Sequence, residues 1–447
     1  MCPEIGNRNQ IVERGYVGQL FRISSSHRRE VNPDFALLIL FLVATLNILD
    51  RNIILILQEP IKADLGLNDT QLGSLTGLSF AIVYCIAALP LARLADRSSR
   101  IRIVGASVAV WSLLTAASGA ATSFIALVAL RMGVAAGEAG GNPASFSLMS
   151  DYYPPHKRPL AFALWALCQP VGSAIGLLSG GLLAHAFGWR GTFAFVGVLG
   201  LIFAPFIFRM REPPRGRFDV NYTLQPQPTF KELGQVLVGT PALRWLLGGS
   251  AMQGFALFSI QSWAAPFYAR VFGVPSDQLA LQLFVIIGVA GGVGILLGGL
   301  LGRALGPRDP SWLMLVPAIS SVAALPLLLG QLLVQNLLVS LTLGFFATIS
   351  LTTYMSCINA AAQLLVVPTA RAVVTVMIAY AMNIGGLALG PTAVGMVSDY
   401  LTSETHIGAD ALRYALLLSA AATPIAALCY FQSARFLKPS QQPSSPS

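Results

Sequence analysis

The sequence predicts an all-α membrane protein with twelve transmembrane helices in two six-helix halves. Three observations carry this. Of 447 residues, 55% are hydrophobic and only 11% charged, against about 25% charged in a soluble domain. Apolar stretches of about 20 residues recur along the chain, each long enough to cross a bilayer. The largest polar interruption after the first span, residues 210–241, falls near the middle and is rich in Pro and basic residues. It reads as a linker.

In order, spans 1 to 6 are expected near residues 35–57, 70–91, 103–122, 124–150, 160–187 and 190–209, and spans 7 to 12 near 242–271, 280–304, 311–331, 336–363, 371–399 and 411–437. The chain thus divides into an N-terminal tail (1–34), a first half (35–209), a linker (210–241), a second half (242–437) and a C-terminal tail (438–447). Span 1 carries an acid and a base side by side, Asp50-Arg51, and span 4 carries Arg131 and Glu138. Span 5 has a ladder of Gly172, Gly176 and Gly180, and span 8 a similar run of Gly291, Gly294, Gly298 and Gly302. Such ladders let helix backbones approach closely; they read as static packing or as seams along which the halves rock. Spans 7 and 10 have no charged interior residue and offer Gln253, Gln261, Ser262, Trp263, Tyr354 and Asn359. On span 10, Thr348, Thr352, Ser356, Asn359 and Gln363 recur on one helical face, either bonding their own backbone and neighbours or lining a cavity. Two six-helix halves match a large transporter class with its substrate site near the midplane between them.

The formal charge of +9 is a topology signal. With the first tail in the cytoplasm, alternate loops place about 22 Lys and Arg inside and about four outside (Lys62, Arg190, Arg270, Arg413), which is the positive-inside bias. Both termini are then cytoplasmic, and no nucleic-acid partner is implied. The first tail has no apolar core of a signal peptide. The five cysteines are scattered singly without metal or redox spacing. Neither a zinc-protease, nucleophile-elbow nor phosphate-binding motif is present, so no enzyme activity and no cofactor is expected, and ATP-driven transport is disfavoured.

Of the 28 Lys and Arg residues, this segmentation leaves only Arg51 and Arg131 deep inside the bilayer, away from the span ends. Ionised groups there are costly and mark substrate or proton paths. Asp50, Arg51 and Arg131 all fall roughly 10 Å from the outer surface, and Glu138 shares Arg131's face about 10 Å deeper. Two acids and two bases sum to zero. Protonating one acid makes the site +1 and favours an anionic headgroup, which Arg can grip in two-pronged fashion. Proton coupling is therefore expected at Asp50 and Glu138, and substrate binding at Arg51, Arg131, Asn47, Trp263, Tyr354 and Asn359.

The segment Ala92-Arg-Leu-Ala-Asp-Arg-Ser-Ser-Arg-Ile-Arg102 resembles the loop signature between spans 2 and 3 of the major facilitator superfamily. It keeps Leu94, Ala95, Asp96, Arg97 and Arg100, and replaces the glycines with Ala92 and Ser99. Narrower matches are Asn47, Asp50 and Arg51 in span 1, Arg131, Gly133, Gly137, Glu138 and Ala139 in span 4, and Glu212 to Gly216 after span 6. These resemble the Spinster-like branch, associated in animals with export of lysolipids and sphingosine 1-phosphate. The resemblance implies the major facilitator fold. It also implies gating by Asp96, with Arg97 and Arg100: the acid would lie against the N-terminal end of span 11, where the helix dipole favours it. For Arg100 and Arg102 themselves, enforcing topology is the competing role.

The expected function is proton-coupled secondary transport of an amphipathic anion such as a lysolipid or sphingolipid-like phosphate. Alternatively, the chain is a proton-linked small organic-anion or drug transporter. Its partners would be that substrate, protons and membrane lipids. A monomer in a bacterial inner membrane is expected. Phe255, Phe258, Trp263 and Phe346 are candidates for contact with an acyl chain.

Overall fold

The computed structural model describes residues 32–218, 230–366, 371–405, 407–408 and 410–437. Most of the expected first tail, the C-terminal tail 438–447 and linker residues 219–229 lie outside the described residues. Among the described residues the chain is helical, without strands.

Span 1 shows how the sequence builds a membrane helix. The Asn32 side chain accepts from the amides of Asp34 and Phe35, Pro33 takes the first helical position, and Gly66 ends the helix in the left-handed region. Between them run 33 residues, Pro33–Leu65, whose length comfortably exceeds the hydrocarbon core. Ten such apolar stretches occur among the described residues. One of them, Leu160–Phe208, bends at Gly188, whose φ of 65° and ψ of 177° belong to a region essentially reserved for glycine. It therefore contains spans 5 and 6. Span 7, Pro241–Phe272, is less apolar because it buries Ser250, Gln253, Ser259 and Ser262 among its neighbours. Among the described residues this gives twelve spans.

The glycine ladders are packing devices within each half. A side chain on Gly172 would strike Ile48 and the Thr45 carbonyl at 2.7 Å, and Gly176 and Gly180 lie against Leu49 and Ile53. Span 5 thus packs on span 1. Gly294 and Gly298 meet Ile349, Thr352 and Thr353, so span 8 packs on span 10. Neither ladder is a seam between halves. Part of the polar stripe of span 10 belongs to the same packing: Thr348 and Thr352 donate to carbonyls one turn back, and Ser356 donates to Ile295 of span 8; Thr352 also lines the cavity described below. Contacts between the halves run through span 2 against span 11, where Gly73 and Gly77 abut Pro391 and Leu387, through the helix of span 5 against the first part of span 8, and through span 1 against span 7, where Gln58 donates to the Ser262 carbonyl at 2.6 Å.

The bundle has two ends. Asp34, Tyr153 and Arg211 meet at the one where the described chain begins, since the Tyr153 hydroxyl donates to Asp34 and that of Tyr152 to the Arg211 carbonyl. This is called the near end. The far end holds the connection between spans 1 and 2.

Candidate functional site

A cavity of about 370 Å³ lies between the halves. The first half contributes Arg51, Asn52, Phe80, Arg131, Gln169 and Ser173. The second contributes Leu257, Phe258, Ile287, Ile295, Met355 and Leu387, with Gln261, Ser262, Thr352 and Asn383 as its polar members. One wall is charged and polar, the other largely apolar. Three spans pass the cavity in π-helical turns: Ser74–Leu78, Phe284–Val289 and Met382–Ala388. Each supplies lining residues, Thr76, Ile287 and Asn383 among them. Such turns cluster at functional sites.

The four membrane charges form one cluster, but they pair across spans. Arg51 Nε donates to Glu138 at 2.7 Å, and Arg131 Nη1 to Asp50 at 3.0 Å. Thr115 donates to the other Asp50 oxygen at 2.9 Å. Both acids are buried, and neither lines the cavity; the two arginines do. The acids therefore stand behind their arginines. Arg51 is held further by rings, its guanidinium carbon lying 4.7 Å from the centre of Phe80 and 4.8 Å from that of Tyr84. Cation–π contact of this kind replaces lost hydration of the guanidinium. Glu138 Oε1 and Arg51 Nη2 are buried without a hydrogen-bond partner, so this pair is not saturated.

Toward the far end a second ionic group joins the halves. Arg270, near the end of span 7, bonds Glu59 at 2.7 Å and Asp69 at 2.7 Å. Lys62 and Ser398 also donate to Asp69. Asp399, on span 11, accepts from the backbone amides of Asp69 and Thr70 at 2.9 and 2.7 Å, capping the start of span 2 where a helix favours an anion. The four bases expected outside, Lys62, Arg190, Arg270 and Arg413, are all paired with acids.

The Major Facilitator Superfamily model matches residues 40–391. The chain belongs to that superfamily. An MFS-type efflux pump of Mycolicibacterium smegmatis is 33% identical over 89% of this chain and 92% of that protein. Protein spinster of Drosophila melanogaster is 26% identical over 83% of this chain, which spans 63% of the fly protein. The crystal structure of a bacterial homolog to human lysosomal transporter Spinster, inward-facing and unoccupied, superposes with a TM-score of 0.82 at 27% identity, covering 94% of this chain and 100% of that one. Within the superfamily the chain is Spinster-like, and it is an integral, multi-pass membrane transporter.

Several residues expected at the substrate site of this Spinster-like transporter lie elsewhere. Trp263 is fully buried and donates to the Pro391 carbonyl at 2.9 Å, so it packs span 7 on span 11. Tyr354 is equally buried, against Tyr430. Asn359 is exposed and bonds the Met355 carbonyl of its own helix. Asn47 is buried a turn before Asp50 and does not line the cavity. Of the aromatic candidates, Phe258 lines the cavity; Phe255 and Trp263 do not, and Phe346 is half exposed on the outside of the bundle. Asn52, Gln169, Ser173 and Asn383 were missed. Each is a neutral polar residue inside an apolar run, the same signal that drew attention to span 10.

At the near end the Asp96 side chain lies outside the described residues, and Arg97 is exposed. Arg102 is exposed too, as a topology charge should be. Arg100 is not: it is almost fully buried and pairs with Asp151 and Glu212. It also donates to Ser147 and to the Pro213 carbonyl. It ties span 3, span 4 and the chain after span 6 together within the first half. Burial alone would raise the Glu212 pKa, but hydrogen bonds from Ser99 and from the backbone and guanidinium of Arg100 outweigh it and hold the carboxyl below its ordinary value. A depressed carboxylate stabilises fully above its unfolded pKa, about 4.3 for Glu, and loses that contribution as pH falls through the folded value. Thermal stability of the wild type should therefore drop more steeply than that of Glu212→Gln on acidification from about pH 5. Parallel melting curves for the two across that range would remove Glu212 from the clamp's energetics.

Proposed function

We propose that this transporter works by alternating access, couples to protons, and carries an amphipathic anion of the lysolipid or sphingolipid-phosphate class. The observation that carries the reading is the two-faced cavity: Arg51 and Arg131 stand in front of their acids on one wall, and the facing wall is Leu257, Phe258, Ile287 and Met355. A headgroup would take the guanidinium groups, and the acid left behind would be neutralised by a proton. A single chain would lie on the apolar wall. The positive-inside bias supports a cytoplasmic near end in a bacterial inner membrane, which would place the far-end ionic group on the outer side. On this orientation the Asp96-Arg97 loop, braced by Arg100, would close the near end in the alternate state. The protein is proposed to act as a monomer.

A second reading, a small organic anion or drug, is favoured by the cavity volume of about 370 Å³, toward the lower end of ligand sites, which span about 300–1,000 Å³. A chain-length series separates the two. Affinity should rise per added methylene by less than about 0.8 kcal/mol, because the chain leaves lipid as well as water. Arg51→Ala should weaken long and short homologues alike. Flat affinity along the series, with tight binding of a short dicarboxylate, would hand the case to the small-anion reading.

A further inference from the structure

Asp50 lines a second, smaller pocket, enclosed by spans 1, 3 and 6 and separate from the substrate cavity. Its volume is about 10 Å³, the space of one water molecule. Helical spacing builds it: Leu46 and Asp50 four apart on span 1, Ser112 and Thr115 three apart on span 3, and Gly197 and Gly200 three apart on span 6. Gly200 leaves the room, since a Cβ there would overlap Ser112 Oγ. Ser112 is 1% exposed, and its hydroxyl has no hydrogen-bond partner. A buried hydroxyl without a partner is rare and points to a guest not yet named.

We propose that this pocket binds a single water molecule, and that the water is the donor Asp50 keeps when a bound anion draws Arg131 away. The guest must be one heavy atom in size. It must also be neutral, because Asp50 is already neutralised by Arg131 at 3.0 Å and an added cation would sit beside that guanidinium. Four side-chain oxygens, two of them on Asp50 and already held by Thr115 and Arg131, are too few for a hard metal ion, which takes about six or more. Water meets the chemistry: it accepts from Ser112 and donates to the carboxylate. Ionised Asp50 accepts from Thr115 and from Arg131. If Arg131 turns to an anion, Thr115 alone would face a buried charge; the water supplies the second donor. The charged groups around Asp50 are Arg131 and the Arg51–Glu138 pair, with Glu138 interacting electrostatically with both Asp50 and Arg131; spans 3 and 6 bring none to the pocket. The second half of the proposal rests on the anion reading above, and the first half does not.

The test uses the full-length protein in lipid nanodiscs. Infrared difference spectra on exchange into H2(18)O should show an isotope-shifted O–H band of one non-bulk water in the wild type, lost in Ser112→Ala and in Gly200→Ala. Binding of a monoacyl phosphate should weaken about tenfold in Ser112→Ala, and less than twofold when the same change is made in Asp50→Asn, whose side chain carries no charge. Absence of the wild-type band, or its survival in Ser112→Ala, overturns the water site, whether or not Gly200→Ala folds. Equal weakening in the wild-type and Asp50→Asn backgrounds overturns the donor role and leaves Ser112 a packing residue. If the band behaves as expected but the monoacyl phosphate does not bind, the water site stands and the anion reading falls.

Discussion

Glu138→Gln should abolish proton-driven transport and leave the protein folded in the membrane. Gln keeps the size of the side chain and its hydrogen bond to Arg51, which is 2.7 Å long, but it cannot titrate. If Glu138 is the proton site, the pH gradient loses its grip on Arg51, and uphill transport in proteoliposomes should fall at least about a hundredfold, or about 2.7 kcal/mol of driving selectivity. Exchange of labelled for unlabelled substrate at equal concentrations should persist, since it needs no net proton movement. Asp50→Asn should act likewise through Arg131. Arg51→Ala is a poorer probe of coupling. It strands a buried carboxylate, and losing one partner of a buried pair costs about 3–5 kcal/mol. Unchanged pH dependence in both Glu138→Gln and Asp50→Asn would remove the coupling claim.

Arg270→Ala should open the far end. Its guanidinium joins the second half to Glu59 and Asp69 of the first, and without it two carboxylates face one another with only Lys62 nearby. Arg270 is mostly buried, so the loss lies between that of a surface pair and a fully buried one, about 2 kcal/mol. That shifts the balance of states roughly thirtyfold. Spin labels at Ala63 and Ser403, both exposed at this end, should report longer distances. Arg413→Ala is the control, because its partner Asp410 lies three residues away in the same half. Equal distance distributions for the two variants would show that the far-end network does not set the conformation.

The spans were legible because bilayer thickness fixes their length, and the four membrane charges because nothing but function or pairing tolerates them there. How they pair was not read, although helix geometry contains it. Asp50 and Arg51 are neighbours and so point about 100° apart, while Arg131 and Glu138 lie two turns, about 10 Å, apart on span 4. Neither couple can close on itself, and each residue needs a partner from the other span. Trp263 and Tyr354 were misplaced for a different reason. Residue type marks them as candidates, but the rotation of spans 7 and 10 about their axes is set by tertiary packing, and it turns both into the core. The far-end network was missed because Glu59 and Asp69 fall just outside the expected spans and Arg270 at the very end of one, where charges were read for topology alone. The π turns at the cavity carry no local signature at all.

The zero sum of Asp50, Glu138, Arg51 and Arg131 also bears on membrane voltage. Each elementary charge moved through the field is worth about 2.3 kcal/mol per 100 mV. On the proposed cycle, a monoanion that crosses together with one proton moves no net charge, and the empty cluster returns neutral. Voltage then neither drives nor opposes transport. If the anion leaves as the proton enters, two charges move per turnover, and about 4.6 kcal/mol per 100 mV acts on each cycle. The electrical response of the reconstituted protein thus reports which way the proton travels relative to its cargo.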